Sequence, residues 1–256
     1  MIGALKQRLY RQVARAWGAA VKPPRRGLRV LTYHAVGLAL ERDPYGNSIS
    51  KERFAEHVRL LASLRVPWPP ARFGPAGSEP ALCVTFDDGF RDTLTEAAPL
   101  LVETGIPFML FATADFIRRG EAPYLDAGQL RALAALPGAS IGSHGLTHKV
   151  LTTLSDADLA EELSASRRWL EDLLGRPVES LSYPHGAVDR RVRDAAEAAG
   201  YRLGATSRWG ANEPERDPLL LCRTEVTAWD TAQDLRAKID GHWDWYAIRH
   251  PDPQAA

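Results

Sequence analysis

Ala81-Leu82-Cys83-Val84-Thr85-Phe86-Asp87-Asp88-Gly89 is an apolar, β-branched run of strand length that ends on two adjacent carboxylates and a glycine. Gly89 lets the chain turn away at once. Successive side chains at a strand end point to different sides, so one aspartate can grip a ligand while its neighbour faces whatever that ligand activates.

Downstream, Ser143-His144-Gly145-Leu146-Thr147-His148 follows a second strand-like stretch, Ile141-Gly142-Ser143. One helical turn or a tight loop brings two imidazoles four residues apart to one side. Asp88, His144 and His148 then make a two-histidine, one-carboxylate set suited to zinc, and also to iron, cobalt or nickel, with positions left for water. Either motif alone is ordinary: loop histidines are common, and Asp-Asp-Gly is often a solvated turn. Both at strand ends together point to a hydrolytic metal site.

Strands and helices alternate along the chain. Leu28–Val36 reads as a strand ending at Tyr33-His34, and Ser50 caps a helix to Leu64 with Ile49 and Phe54 as a hydrophobic staple. Val66–Pro70 is too rich in proline for a central strand. A helix over Asp92–Glu103, closed by Gly105, precedes a strand at Phe108–Thr113, and Asp126 caps a helix to Leu136. Ser155 and Asp158 form a capping box for a helix to Leu174. A strand at Glu179–Tyr183, a helix at Asp189–Ala199 and strands at Tyr201–Thr206 and Leu219–Val226 complete the pattern. The chemically loaded residues His34, Asp87, Asp88, His144 and His185 all fall at strand C-terminal ends, where parallel α/β folds place their sites. Periodicity does not choose between a barrel and an open doubly wound sheet.

Thr85-Phe86-Asp87-Asp88-Gly89, the two histidines of the second motif, and Ser182-Tyr183-Pro184-His185-Gly186 resemble the three motifs of the polysaccharide deacetylases of carbohydrate esterase family four. The likeness runs roughly from Leu28 to Val226. It implies an α/β fold, a distorted and incomplete (β/α)7-type barrel, and metal-dependent removal of an N-acetyl group from an amino sugar of a polysaccharide or glycan precursor. It also implies that Asp87 is the catalytic base and Asp88, His144 and His148 the metal ligands. The turn at Tyr183, Pro184, His185 and Gly186 would bind substrate, with a backbone N–H beside the proline meeting the oxyanion. Tyr33-His34 is similar to a pair seen in exopolysaccharide-modifying branches. A deformylase or other C–N hydrolase, or a non-catalytic carbohydrate-binding protein on the same fold, is the alternative.

Two departures need substitutes. The family's third-motif arginine is replaced by Ser182, and Arg223 on the last predicted strand is the candidate to hold Asp87, a plain salt bridge being the other reading. The family's late histidine, a general acid, has no counterpart, since His242 and His250 lie in an aromatic C-terminal segment. His34 is the first candidate proton donor and His185 the second. Among Trp209, Trp229, Trp243 and Trp245, Trp209 is the preferred sugar-stacking candidate, with core packing as the competing role.

The chain has 256 residues, enough for one barrel, and 32 basic against 32 acidic side chains, a balance that argues for no nucleic-acid partner. Cys83 and Cys222 are expected as reduced core residues. Residues 1–27 form a basic amphipathic helix and linker, and residues 28–256 the barrel with a C-terminal helix. Met1–Ala20 carries Lys6, Arg8, Arg11 and Arg15 and no acid. It reads first as a helix packed on the barrel and second as a peripheral contact with an anionic membrane. Neither a signal peptide nor a spanning helix is legible, so the expected setting is the cytoplasm, at most against the inner membrane face. The sequence assigns no oligomeric state.

Overall fold

The computed structural model describes residues 2–21, 27–64, 66, 80–250 and 252. The strands are β1 (Gly27–Tyr33), β2 (Ala35–Val36), β3 (Ser48–Ile49), β4 (Pro80–Phe86), β5 (Phe108–Ala112), β6 (Ala139–Ser143), β7 (Ser180–Ser182), β8 (Leu203–Ala205) and β9 (Thr224–Glu225). The helices are α1 (Ile2–Ala20), α2 (Lys51–Ser63), α3 (Ala98–Glu103), α4 (Ala114–Arg119), α5 (Ala127–Ala134), α6 (Asp156–Leu174), α7 (Arg190–Ala198) and α8 (Ala232–Ile239). The proline-rich loop read at 67–70 and the linker at 22–26 lie outside the described residues.

Seven strands pair in parallel in the order β8-β7-β6-β5-β4-β1-β9. Leu221 bridges Ala205 of β8 while Thr224–Glu225 pairs with Leu31–Thr32 of β1, so the sheet curls into a distorted barrel closed by one weak seam. Leu28, Val30, Cys83, Met109, Phe111, Ala205 and Leu221 fill the interior, and the alternate strand positions pack outward on the helices. Burial on both faces is why β5 reads as a continuous apolar run, while β1, equally buried, carries Arg29 paired with Asp244. Gly142 is obligatory inside: a Cβ there would lie 2.5 Å from the Phe111 ring.

Local signals fix the helix starts. Ser50 accepts the Arg53 N–H, and Ser155 the Asp158 N–H. Asp126 and Gln129 satisfy each other's backbone N–H groups at 2.8 and 3.0 Å. The helix expected over Asp92–Glu103 begins instead as a wide π-type turn, Thr93–Ala97, before α3. Pro99 has no N–H to offer and its ring crowds the Thr95 carbonyl, which opens the turn.

The strand expected over Leu219–Val226 is cut to Thr224–Glu225. Asn212 explains the cut. Its backbone pairs antiparallel with Leu28, and its side-chain amide donates to the Cys222 carbonyl and accepts the Cys222 N–H. An amide side chain thus fills ladder positions a neighbouring strand would hold. Both cysteines are free and buried, as expected.

Helix α1 packs on the C-terminal aromatic cluster. Tyr10 and Ala14 meet Trp209, Trp243, Trp245 and Tyr246, Arg11 makes a two-pronged ion pair with Asp234, and Gly18 leaves room for the His242 ring. Among the described residues no helix is long and apolar enough to cross a membrane.

Candidate functional site

Asp88 follows β4 and His144 follows β6, so the barrel sets them side by side above its C-terminal end. Nε2 of His144 and of His148 lie 3.4 and 3.2 Å from Oδ1 of Asp88, and the three donor atoms fall within 4.8 Å of one another. Nδ1 of His144 donates to the Ser182 carbonyl at 2.8 Å, which fixes the tautomer with its lone pair on Nε2, facing Asp88. Two imidazole nitrogens and a carboxylate oxygen converging this way fit a divalent metal ion.

The histidine motif is a loop rather than a helical turn. Thr147 donates through its N–H and hydroxyl to Glu162, buried on α6, and the first N–H groups of α4 donate to the Gly145 and Leu146 carbonyls. Glu162 was not legible as part of the site, since a lone glutamate in a helix carries no local signal. Asp88, His148 and His185 have φ of 72°, 64° and 59°, and they are the only non-glycine positive-φ residues described. Each left-handed residue costs on the order of 1 kcal/mol, and its concentration here is what a pre-shaped site looks like.

Burial pushes the Asp88 carboxyl up, but the His144 and His148 rings, which donate to it when protonated, outweigh burial and hold it well below the usual range. Burial lowers His144, and the carboxylates of Asp87 and Asp88 more than restore it, leaving it raised.

Asp87 is buried beside this cluster, its Oδ2 4.0 Å from His144 Nε2. Arg223 reaches it from the seam strand with two parallel bonds, Nη1 to Oδ1 and Nη2 to Oδ2, both 2.8 Å, while Nε donates to the Thr206 carbonyl. Both side chains are 4% exposed. Ser182, at the position of the missing third-motif arginine, donates its hydroxyl to Asp87 Oδ2 at 3.1 Å. Burial raises Asp87, yet the Arg223 and His144 charges prevail and its pKa is lowered. His34 lies near enough for its charge to lower both aspartates, and its buried Nδ1 has no hydrogen-bond partner among the described residues.

His185 is exposed at the rim, its ring 4.5 Å from that of His148. Burial and the neighbouring His148 charge lower its pKa. Two expected substrate contacts are corrected by burial. Tyr183 is fully enclosed and its hydroxyl donates to the Leu219 carbonyl, so its side chain anchors the turn from beneath. Trp209 is 6% exposed and packs against Trp243, Tyr246 and the Lys238 ammonium, because the chain reverses after β8 toward the Asn212–Leu28 bridge instead of continuing onto the site. Pro184 is buried, and Gly186 abuts Ser207. An aromatic row not foreseen from the sequence, Phe90, Tyr124 and Phe116, stacks ring on ring toward His148.

A family model described as polysaccharide deacetylase matches residues 75–204. The putative polysaccharide deacetylase YxkH of Bacillus subtilis is 27% identical over 226 residues, covering 83% of this chain and 75% of that protein. IcaB from Ammonifex degensii superposes with a TM-score of 0.70 at 25% identity, over 84% of this chain and 97% of that one. The Streptococcus pyogenes deacetylase PplD, solved in complex with acetate, gives a TM-score of 0.72 at 19% identity over 83% and 98%, a likeness of fold.

Proposed function

The chain belongs to the polysaccharide deacetylase family, and from that premise we propose that it is a metal-dependent amide hydrolase removing an N-acetyl group from an amino sugar of a polysaccharide or glycan precursor. The observation that carries this reading is the pairing of a metal-type donor set, Asp88, His144 and His148, with a separate buried carboxylate, Asp87, held by Arg223 and Ser182.

Asp88 and the Nε2 atoms of His144 and His148 would hold the ion, zinc by preference, with cobalt, nickel or iron also suited to this donor set. A divalent ion there supplies acidification of water and polarisation of an unreactive amide carbonyl. Asp87 takes the proton from the attacking water, and its lowered pKa keeps it ionised for that task. Arg223 and Ser182 act through Asp87 by fixing the plane of its carboxylate. At the third-motif turn, Pro184 has no N–H and that of Gly186 donates to the Tyr183 carbonyl, so the N–H of His185 is the oxyanion donor. His34 gives a proton to the departing amine, with His185 as the second candidate.

The test is acetate release from N-acetylated glycan oligomers together with metal analysis. Asp88→Asn and His148→Ala should lose both ion and turnover, whereas Asp87→Asn should keep the ion and lose roughly 10²-fold or more in kcat. Chelation should abolish activity and added zinc or cobalt restore it. Equal metal loss in Asp87→Asn would overturn the division between base and ligand.

A further inference from the structure

We infer that Glu162, on α6, is a positioning residue for the proposed metal site: through Thr147 it holds His148 in place as a ligand and so sets how tightly the ion is bound. This rests on the metal-dependent reading above. The two histidines are held differently. His144 follows β6 directly, is 2% exposed and has its ring fixed by the Ser182 carbonyl. His148 is 23% exposed and stands further out along a loop, with a left-handed backbone (φ 64°) that a non-glycine residue keeps only when its surroundings impose it. A ligand on such a loop adds its full affinity only if the loop is shaped beforehand, because ordering it on binding subtracts from the gain.

Helix α6 does the shaping. Thr147, the residue before His148, donates its N–H to Glu162 Oε1 at 2.6 Å, and its hydroxyl lies 3.1 and 2.9 Å from the two carboxylate oxygens. Hydrogen bonds to a carboxylate are about twice as strong as neutral ones, and Glu162 is 5% exposed, where water competes little. The loop is moulded around that carboxylate: a Cβ on Gly145 would lie 3.2 Å from Oε1, and Gly145 itself has a φ of 76°. One turn along α6, the Ser166 hydroxyl meets that of Ser143 at 3.0 Å, and Ser143 Oγ accepts the Gly145 N–H at 3.1 Å. Two side chains on one face of a 19-residue helix thus bracket residues 143–147, while the first N–H groups of α4 take the Gly145 and Leu146 carbonyls.

With the loop bracketed, His148 at its end completes the donor set, its Nε2 3.2 Å from Asp88 Oδ1. Groups that support a metal ligand from behind commonly contribute about 10- to 100-fold in metal affinity by bonding the ligand ring itself. Here the bond is made one residue before the ligand, so Glu162 controls where the His148 backbone stands rather than which tautomer its ring adopts.

The experiment measures zinc affinity of the full-length protein by competition with a chromophoric chelator, alongside the melting temperature of the metal-free form. Glu162→Ala should weaken zinc about 10- to 100-fold. Glu162→Gln, whose amide can accept the Thr147 N–H and donate to its hydroxyl, should restore most of that loss. A glutamate serving the fold alone would lower the melting temperature and leave zinc affinity unchanged; that result, or an equal loss in Glu162→Gln and Glu162→Ala, overturns the proposal. Should Glu162→Ala fail to fold, Thr147→Val decides, since it removes the hydroxyl and keeps the backbone N–H: it should weaken zinc in the same direction, and wild-type affinity there overturns the proposal. Zinc binding is read without substrate, so a wild type that releases no acetate from N-acetylated glycans yet shows this zinc pattern keeps the proposal and loses the deacetylase reading. A wild type that binds no zinc overturns the metal site and the proposal together.

Discussion

Replacing Arg223 tests whether a guanidinium from the seam strand does the orienting. Its two 2.8 Å bonds to Asp87 are made where both side chains are 4% exposed, so removing one partner of this buried pair is expected to cost about 3–5 kcal/mol of stability. In Arg223→Met, burial, the largest influence on Asp87, is no longer opposed by the nearest positive charge, so the carboxyl pKa rises. A base must be ionised to act, so the acid limb of the pH–rate profile moves to higher pH. Arg223→Lys keeps a charge but loses the fork, Asp87 can swing on its remaining Ser182 bond, and kcat should fall roughly 10²-fold with a smaller movement of the limb. Metal content should stay at the wild-type level in both. A plain salt bridge would lower the melting temperature and move the limb in Arg223→Met, but would leave kcat of Arg223→Lys near the wild-type level. Wild-type kcat in Arg223→Lys, or an unmoved acid limb in Arg223→Met, refutes the positioning role.

His34→Ala should lower kcat and remove the alkaline limb of the pH–rate profile, as loss of a general acid does, and an unchanged limb would assign His34 a supporting role only. Burial raises Asp92 to about 7 against the partial relief of the Val36 N–H bond. Its folded pKa thus lies above the unfolded one, so the stabilisation is complete below about pH 4 and is lost as pH rises through 7, a change of a few kcal/mol. Melting temperatures taken from pH 5 to 8 should fall in the wild type and stay nearly flat in Asp92→Asn, which can still accept the Val36 N–H.

What the sequence made legible was what short-range pattern encodes. Strand and helix order, the caps at Ser50, Asp126 and Ser155, and the candidate ligand set at Asp88, His144 and His148 follow from local composition and spacing, and the structure brings those three side chains together. The barrel itself came from the family resemblance, since alternation is shared with open sheets. What stayed hidden depends on long-range placement. Asn212 lies 10 residues from Cys222 and 184 from Leu28, and nothing in Ala211-Asn212-Glu213 announces that its amide stands in for a strand. Trp209 misled because a residue soon after a strand was assumed to continue onto the site, while the chain in fact reverses there. Glu162, which pins the histidine loop, and Tyr124, which stands in the aromatic row, sit on elements whose local pattern concerns only their own packing.

The seam links these hidden features to the chemistry. Arg223 lies between Leu221, which bridges to β8, and Thr224, which pairs with β1, and its backbone N–H donates to the Arg208 carbonyl. Its side chain can meet Asp87 only if the barrel closes at this point. A third-motif arginine on the strand that leads into the Tyr183–Gly186 turn would need no such closure. Here that strand offers a serine, whose neutral hydroxyl gives Asp87 one bond, and the charge arrives from the strand that completes the barrel. The orientation of the proposed base is thereby coupled to the least regular part of the sheet. Loosening the seam, for instance by removing the Asn212 amide that occupies the Cys222 backbone groups, should disturb Asp87 across the barrel without touching any of the proposed metal ligands.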